Sequence, residues 1–345
     1  EITYDIADNL TVSASMRQFD AESYLDGFSG TVWWPCGGGP SAAAQEASGV
    51  YRPLNNYGAD CADSNRITAS KDEVYRVTGE WALNEDLMVY GAWGEGYRPG
   101  GLNRFCSVGN TADYGGQGRD DATGAQCDFT PDFLTSYEVG IKATLLDGRM
   151  QVNASAFLQD WDNFQFSRLD TSISPVTLTY NIGQAKSDGF EADFSLMLTE
   201  TWSLTGAASY IQAELSQDYF KSDGLAAPTA ASGTPLPRVP EVKWNLSTRY
   251  GFNTDWFMQA SYIYTGSSYN NLFDGGSLQT KRYKQGDYQI LNASVGIDRD
   301  SWVAEMYVRN LTDERGEVFR NAVNWDDRVM TNRPRTIGTR VSFRF

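Results

Sequence analysis

The stretch TIGTRVSFRF, residues 336–345, decides the fold because apolar and polar side chains alternate along it. In an extended chain Val341 and Phe343 point to one side, whereas Arg340 and Arg344 point to the other. A period of two residues predicts a β-strand with one face in an apolar medium and the other in a polar medium. Helical periodicity is hard to find, and the same alternation recurs at 138–145, 151–158, 190–196, 291–297 and 302–309. The sequence therefore predicts an all-β protein.

The connections between the alternating segments are short and long in turn. The short turns lie at 7–9, 84–86, 147–149, 199–201, 253–255 and 299–301. The long polar loops lie at about 27–70, 99–133, 167–176, 216–238, 267–286 and 312–334. Short turns at one end and long loops at the other are typical of an antiparallel transmembrane β-barrel with periplasmic turns and extracellular loops. A soluble β-sandwich is the alternative, but loops of this length are uncommon inside compact domains.

Four tryptophans favour the membrane interpretation. Trp81, Trp202, Trp256 and Trp302 each lie within a few residues of a short turn, which places the four indoles at one height. A girdle of aromatic side chains at a membrane interface requires this placement. The alternative is that they are core tryptophans of a soluble sandwich.

The composition excludes several classes of function. Lys and Arg total 28 against 44 Asp and Glu, and the net charge of −16 argues against nucleic acid, whose binding needs cations. The chain has no His, which removes the Ser-His and Cys-His triads and imidazole zinc sites. We therefore predict that the protein is not an enzyme and that it uses no cofactor or metal site. No apolar run approaches the roughly 20 residues of a membrane-spanning helix.

About 13 strands can be counted from the alternation and the turns. They are predicted at 1–6, 10–26, 71–83, 87–98, 134–146, 150–166, 176–198, 202–215, 240–251, 256–266, 286–298, 302–311 and 335–345. An odd number is unexpected for a bacterial barrel made by one chain, and an unpaired strand edge in lipid is costly. We therefore expect residues 1–345 to be the C-terminal portion of a larger barrel. Its end strands should pair with further residues or with another outer-membrane chain, and not with each other.

Several segments resemble the TonB-dependent outer-membrane receptors, in the order that this family has them. The segments are YGAWGEGYRPGGLNR (90–104), SYEVGIKATLLDGRMQVNASAFLQDWDNFQ (136–165), NIGQAKSDGFEADF (181–194), VRNLTDE (308–314) and the terminal Phe345. The resemblance implies a barrel of about 22 strands in the outer membrane of a Gram-negative bacterium, with a lumen filled by an N-terminal plug. This sequence shows neither the plug nor the N-terminal box on which the TonB complex pulls.

The resemblance also implies a function. TonB-dependent receptors take up scarce nutrients actively, most often iron–siderophore complexes, and bind them between the outer loops and the plug. We therefore expect a ferric siderophore or a similar small nutrient as ligand, and the TonB complex as a partner through a missing N-terminal region. Two alternatives stay open, which are a carbohydrate importer with an extracellular lid partner and a structural outer-membrane barrel without transport.

Aromatic and basic residues in the loops are the candidates for ligand binding. Such rings can stack on a catecholate or a sugar, and Arg can neutralise an anionic complex. The candidates are Trp33, Trp34, Tyr97, Arg98, Asn103, Arg104 and Trp325. Together with Trp325, the late loops add a set that also suits a saccharide, which comprises Tyr269, Asn270, Phe273, Asp274, Arg320, Asn324 and Asp326. The alternative is that these side chains only fold the loops on themselves.

The four cysteines form two close pairs in polar loops, Cys36 with Cys61 and Cys106 with Cys127. An even count in such loops predicts disulfides in an oxidising compartment, and the alternative is four free thiols. Closing a loop of this length removes unfolded-state entropy worth about 3 kcal/mol. Peptide mapping without reduction should find both pairs, each within one extracellular loop. Free thiols or a bond between the two loops would contradict this prediction.

Overall fold

The computed structural model describes residues 1–27, 64–103, 119–120, 125–126, 128–168, 177–220, 226–274, 281–323 and 326–344. The regular secondary structure in these ranges consists of β-strands. A helix long and apolar enough to cross a membrane is not found among these residues. The predicted all-β class is therefore confirmed.

Thirteen long strands form one antiparallel sheet, in which each strand pairs with its neighbours in chain order. They are β1 (Ile2–Ala7), β2 (Leu10–Gly27), β3 (Ser64–Asn84), β4 (Leu87–Arg98), β5 (Asp132–Leu145), β6 (Met150–Asp162), β7 (Ala185–Thr199), β8 (Trp202–Leu215), β9 (Val242–Gly251), β10 (Trp256–Thr265), β11 (Tyr288–Arg299), β12 (Trp302–Arg309) and β13 (Thr336–Phe343). The predicted number and order of strands are confirmed. Within the described residues β1 and β13 are the two ends of the sheet and are not paired with each other, as expected.

Shorter strands pair as ribbons inside the long connections. The pairs are Gly101–Leu102 with Asp128–Phe129, Arg119–Asp120 with Ala125–Gln126, Gln165–Arg168 with Leu178–Asn181, Ser268–Tyr269 with Lys284–Gln285, and Glu317–Val323 with Asp326–Thr331. The second long strand pair, β2 and β3, also extends further than predicted, because β3 begins at Ser64 rather than at residue 71.

Two predicted strands, 150–166 and 176–198, are each broken once. Asn163 has φ 58° and Gly183 has φ 93°, and both values lie in the left-handed region that turns a chain out of a strand. The backbone N–H of Phe164 donates to the carbonyl of Gly183 at 2.7 Å, which holds the two breaks together. The prediction of continuous strands was therefore wrong. The alternation of side chains continues across both breaks, so the polarity pattern gives no sign of them.

The register separates the alternating residues into two faces, since directly paired residues on antiparallel strands point to the same side. Phe343 pairs with Trp302 on one face, which we call the outer face. Arg340 pairs with Glu305 on the other, the inner face, where Nη1 and Oε2 are 4.0 Å apart. Phe343 is 65% exposed, as large apolar side chains on a lipid-facing surface are. The predicted split of the C-terminal stretch is confirmed.

Tryptophans near the short turns lie on the outer face. Trp81, Trp202 and Trp256 are 48%, 42% and 40% exposed. The indole N–H of Trp202 donates to Oγ1 of Thr248 at 2.9 Å, so its single donor is satisfied without water. These side chains have the placement of an interfacial aromatic belt.

The polarity of the outer face reverses towards the long loops. On β7 the outer face carries Phe190, whose ring stacks on that of Tyr210 with 5.7 Å between centroids. Nearer the loops it carries Lys186, whose Nζ lies 3.1 Å from Oε1 of Glu214. At that height the inner face is apolar, and Ala185 is buried there. The strands therefore leave the apolar band near Phe190 and continue into water with a core on their inner side.

Replacing Ile141 by Arg tests the assignment of the outer face. Ile141 pairs with Val89 and Ala154 on that face. An Arg side chain near the middle of a bilayer costs about 2–4 kcal/mol. We expect Ile141→Arg to lower the free energy of unfolding by that amount in a urea titration of the protein in lipid vesicles.

The matched control is Ser155→Arg, which adds the same charge to the inner face of β6, directly opposite Glu191. Its environment is polar, so we expect the free energy of unfolding to fall by less than about 1 kcal/mol. Equal losses for the two variants would show that the faces are wrongly assigned.

Candidate functional site

The connections that follow β6, β8 and β10 pack into one apolar core on the inner side of the sheet. The core consists of Leu178, Tyr180, Ile182, Ala185, Ala213, Leu215, Ala230, Leu236, Leu272 and Phe273. The ring centroid of Phe273 lies 5.5 Å from that of Phe166 and 5.3 Å from that of Tyr219. Aromatic pairs at such distances add about 0.5–1.5 kcal/mol to the effect of burial. The described parts of 164–182, 216–241 and 266–287 therefore form one body, which we call the loop platform.

Arg98 closes the base of the connection between β4 and β5. Its Nε lies 3.0 Å from both carboxylate oxygens of Asp132, and its Nη2 contacts Oδ2 of the same group. Nη2 also donates to the backbone carbonyl of Gln165 at 3.0 Å, and the N–H of Gln165 donates to Asp132 at 3.0 Å. The carboxylate of Asp132 is buried, and a buried charge is tolerated only when it is paired and hydrogen-bonded in this way. The pair ties this connection to the one after β6.

Asparagine amides replace backbone pairing in the same region. Asn103 donates to the carbonyl of Thr179 at 2.7 Å and accepts its N–H at 2.8 Å. Asn181 accepts the N–H of Thr130 at 2.8 Å and donates to its carbonyl at 3.0 Å. A side-chain amide offers one acceptor and two donors, so it can pair with a peptide group as a neighbouring strand would.

Asn310 organises the turn of the VRNLTDE segment after β12. It has φ 52°, and only 3% of the residue is exposed. Its Oδ1 accepts the N–H of Glu314 at 3.0 Å, and its Nδ2 donates to the carbonyls of Glu314 at 2.9 Å and Arg333 at 3.0 Å. Its own N–H donates to Oδ1 of Asn292 at 2.9 Å. The segment is thus a structural turn that joins β11, β12 and the residues that precede β13.

Asp313 fixes the other side of this turn. Its Oδ1 accepts the backbone N–H of Arg335 at 2.8 Å and a guanidinium N–H of Arg315 at 3.1 Å. These bonds, the backbone one first, hold the pKa of Asp313 below its usual value. Because the pKa is depressed in the folded state, Asp313 stabilises the fold above its unfolded pKa, and this contribution is lost as the pH falls through the folded value.

Basic and aromatic side chains meet where the connections after β8, β10 and β12 touch. The guanidinium carbon of Arg282 lies 3.6 Å from the ring centroid of Tyr269, and that of Arg320 lies 3.9 Å from Tyr283. The third pair is Arg238 over Phe319 at 4.5 Å. We call these six residues the arginine–aromatic cluster. Guanidinium groups at these distances from ring centroids form cation–π contacts.

The structure describes only part of the predicted ligand set. Tyr97 stacks on Phe19 with ring centroids 3.3 Å apart, while Arg98 and Asn103 hold the connections described above. Phe273, from the late-loop set, is a core residue. Outside the described residues lie Trp33, Trp34, Arg104 and Trp325 and the four cysteines, Cys36, Cys61, Cys106 and Cys127. The ligand roles and the disulfides stay predictions.

Sequence reasoning did not single out Arg238, Arg282, Tyr283 or Phe319. The run KRYK at 281–284 was an available signal, because it is a dense basic segment in an acidic chain. The contact of Arg238 with Phe319 had no such signal, since the two residues belong to different connections.

The inner face of the sheet is polar along much of its length. One hollow on it is lined by Tyr90, Lys142, Asn153, Glu191, Asp193 and Lys243. A second is lined by Arg249, Gln259, Asn292, Glu305, Arg309 and Arg340. Over the part of the chain that the structure describes, no three or more Cys, Asp or Glu side chains are grouped so as to hold a metal ion. The polar side chains that line the two hollows are suited to hydrogen bonding and charge pairing.

Comparisons with known proteins agree on one family. The chain matches the sequence profile of the family described as "TonB dependent receptor-like, beta-barrel" over residues 1–311. It is 30% identical over 207 residues to the metal-pseudopaline receptor CntO of Pseudomonas aeruginosa. The aligned region covers 53% of this chain and 27% of CntO. It is 23% identical over 265 residues to the catecholate siderophore receptor Fiu of Escherichia coli. This aligned region covers 76% of this chain and 30% of Fiu. The chain thus spans less than a third of the length of these relatives.

A solved structure shows the same fold. The ferric yersiniabactin uptake receptor FyuA from Yersinia pestis superposes with a TM-score of 0.67 and 17% identity, over 98% of this chain and 44% of the FyuA chain. At this identity the likeness concerns the arrangement of strands and not the ligand.

Replacing Asp132 by Asn tests the ion pair at the base of the β4–β5 connection. The variant keeps the shape of the side chain but removes the charge that faces Arg98. Because a buried pair is broken while Arg98 keeps partial access to water, we expect the free energy of unfolding to fall by about 1–3 kcal/mol. The backbone N–H of Gln165, which donates to Asp132, should exchange its hydrogen with solvent faster than in the parent protein.

The control is Asp20→Asn, which breaks an ion pair of 2.6 Å with Lys71 between two exposed side chains. Exposed pairs contribute about 0–1 kcal/mol, so this variant should behave like the parent protein. If Asp132→Asn also behaved like the parent protein, the Arg98–Asp132 pair would have no structural role.

Proposed function

The chain belongs to the TonB-dependent receptor family, whose β-barrel its strands form, and from this premise we propose that the protein takes up a ferric siderophore or a similar metal chelate. Family members are receptors and transporters of the Gram-negative outer membrane, and this chain is an outer-membrane β-barrel protein of that kind. We propose transport without catalysis, so that the loops and the inner face bind and guide the ligand.

The observation that carries the proposal is the loop platform. It packs on the inner side of the sheet, at the end of the strands away from the short turns, and the residues of its core are at most 9% exposed. A fixed surface at this place meets a ligand that arrives from outside and holds it over the polar inner face. The relatives agree with this function, since CntO is a metal-pseudopaline receptor and Fiu a catecholate siderophore receptor.

The predicted ligand residues fit the proposal in two ways. Arg98 and Asn103 hold the base of the β4–β5 connection, so they would act by positioning the rest of that loop. Trp33, Trp34, Arg104 and Trp325 remain proposed direct contacts, together with Tyr97. Aromatic rings and guanidinium groups are suited to the rings and negative charges of iron chelates.

We further propose that residues 1–345 act as the C-terminal portion of a larger barrel that is closed by further strands and opened through TonB. The support is physical. The backbone groups on the free edges of β1 and β13 have no partner strand within the described residues, and such edges cannot face lipid. Further strands of the same receptor or another outer-membrane chain would cover them.

Uptake of radioactive iron tests the proposed function. In a Gram-negative host that makes no siderophore of its own, we expect the gene for the protein to restore accumulation of iron from at least one class of ferric siderophore. Loss of TonB from the host should abolish the restored uptake, because the receptor cannot open without it.

Three outcomes would contradict the proposal. Uptake that continues without TonB would indicate a passive pore. Growth on oligosaccharides that depends on the gene, with no effect on iron, would indicate a carbohydrate importer. Absence of both effects would leave a structural barrel.

A further inference from the structure

We propose that Gly140 and Gly338 are positioning residues for uptake, because each lets a tyrosine ring lie flat against the inner face and so keeps the lumen open. The two rings belong to Tyr90 and Tyr307, which pair with these glycines across neighbouring strands. The inference rests on the proposed uptake function. It concerns the passage of the ligand along the inner face and not its binding at the outer loops.

Three glycines of the inner face lie directly opposite an aromatic residue on the neighbouring strand. The pairs are Tyr90 with Gly140, Phe257 with Gly296, and Tyr307 with Gly338. A glycine inside a strand is destabilising relative to alanine, and it often marks a place where another group approaches the backbone closely. Here the approaching group is the aromatic ring.

The tyrosine rings occupy the space that a side chain on the partner strand would need. A Cβ atom at Gly140 would lie 2.5 Å from two ring atoms of Tyr90 and 2.6 Å from its hydroxyl oxygen. A Cβ atom at Gly338 would lie 2.5 Å from the hydroxyl oxygen of Tyr307 and 2.7 Å from its Cζ. These distances are far shorter than van der Waals contact, so each ring can lie on the wall only while its partner is glycine.

Polar side chains on either side hold the ring of Tyr90 in this position. Its hydroxyl donates to Oε1 of Glu138 at 2.5 Å, and Nζ of Lys142 lies 5.8 Å from the ring centroid. Glu138, Gly140 and Lys142 are alternate residues of β5, so all three point to the inner face. The motif SYEVGIK at 136–142 is therefore the seat of a ring from the adjacent strand.

Two arginines cover the ring of Tyr307 in a similar way. The guanidinium carbon of Arg309 lies 5.2 Å from the ring centroid, and that of Arg340 lies 5.9 Å from it. Both arginines are exposed. Because a cation is attracted to the face of an aromatic ring, these side chains favour a ring that lies flat beneath them.

The flat rings leave room for the hollows of the inner face. Tyr90 and Lys142 are among the residues that line the first hollow, and Tyr307, Arg309 and Arg340 are among those that line the second. A ring that stood away from the wall would fill part of the hollow beside it. The glycines therefore determine how much space the lumen has along these strands.

Replacing each glycine by alanine tests the proposal, because the new methyl group displaces the tip of a flexible side chain. The test variants are Gly140→Ala and Gly338→Ala. The matched control is Gly206→Ala on the outer face, where the ring of the paired Phe194 lies 2.5 Å from the Cβ position. In the control the displaced ring enters lipid and not the lumen.

The experiment measures uptake of radioactive iron by host cells that carry the receptor, made in full from its gene, with every variant present in the outer membrane in equal amount. The iron is supplied as a ferric tris-catecholate or a ferric trihydroxamate, and the chelate that the parent protein takes up faster is used for the variants. We expect Gly140→Ala and Gly338→Ala to lower the maximal rate about tenfold, with the concentration for half-maximal uptake unchanged. Gly206→Ala should match the parent protein in both quantities.

A double variant separates obstruction by the ring from damage to the fold. When Tyr90→Ala is combined with Gly140→Ala, the methyl group stays but the ring is gone, so we expect the maximal rate to return to that of the parent protein. A purely structural role of the pair predicts a further loss, because the second substitution removes more contacts.

Unchanged uptake in both test variants, an equal loss in Gly206→Ala, or no recovery in the double variant would overturn the inference. A raised concentration for half-maximal uptake at an unchanged maximal rate would also overturn it, since the hollows would then take part in binding. In each of these cases the parent protein still takes up iron, so the proposed function stands. If the parent protein takes up neither chelate, the proposed function fails and this inference fails with it.

Discussion

In the hydrocarbon of a membrane, every backbone N–H and C=O group must find a partner in the protein, because no water is present to replace it. The sheet from β1 to β13 meets this demand by pairing each strand with the next one along the chain. The alternation of side chains follows from the same geometry, since each strand in the wall of a barrel has one face towards lipid and one face towards the lumen. Within the described residues the free edges of β1 and β13 have no partner strand, which is why we propose that the chain is part of a larger barrel.

Beyond the apolar band the constraint changes, and the chain changes its way of folding with it. Water now surrounds the outer face, so ion pairs such as Lys186–Glu214 replace apolar side chains there. The inner face becomes the site of a core, because the loops can fold back over it and exclude water. Polar groups that lose a strand partner at this transition are satisfied by side chains. Asp132 accepts the backbone N–H of Gln165, and Asn103 and Asn310 pair with peptide groups.

The same packing gives the outer loops their chemical character. A guanidinium on a free loop would be mobile and equally exposed to any anion, whereas Arg282 is fixed by carbonyls of two separate segments and by the ring of Tyr269. Fixed charges and fixed rings reduce the entropy that a ligand must remove on binding. The loop platform is therefore both a structural core and the frame of the proposed binding surface.

The sequence by itself determined the strands, their order, the short turns and the two faces. Stretches such as 336–345 carry this information locally, because a period of two residues needs only near neighbours. The breaks at Asn163 and Gly183 escaped prediction because φ is not visible in a polarity pattern. Only the tertiary structure decided the contacts of the loops. Arg98 meets Asp132, and Arg238 meets Phe319, across long irregular connections that have no period, so no local pattern specifies which residues come together.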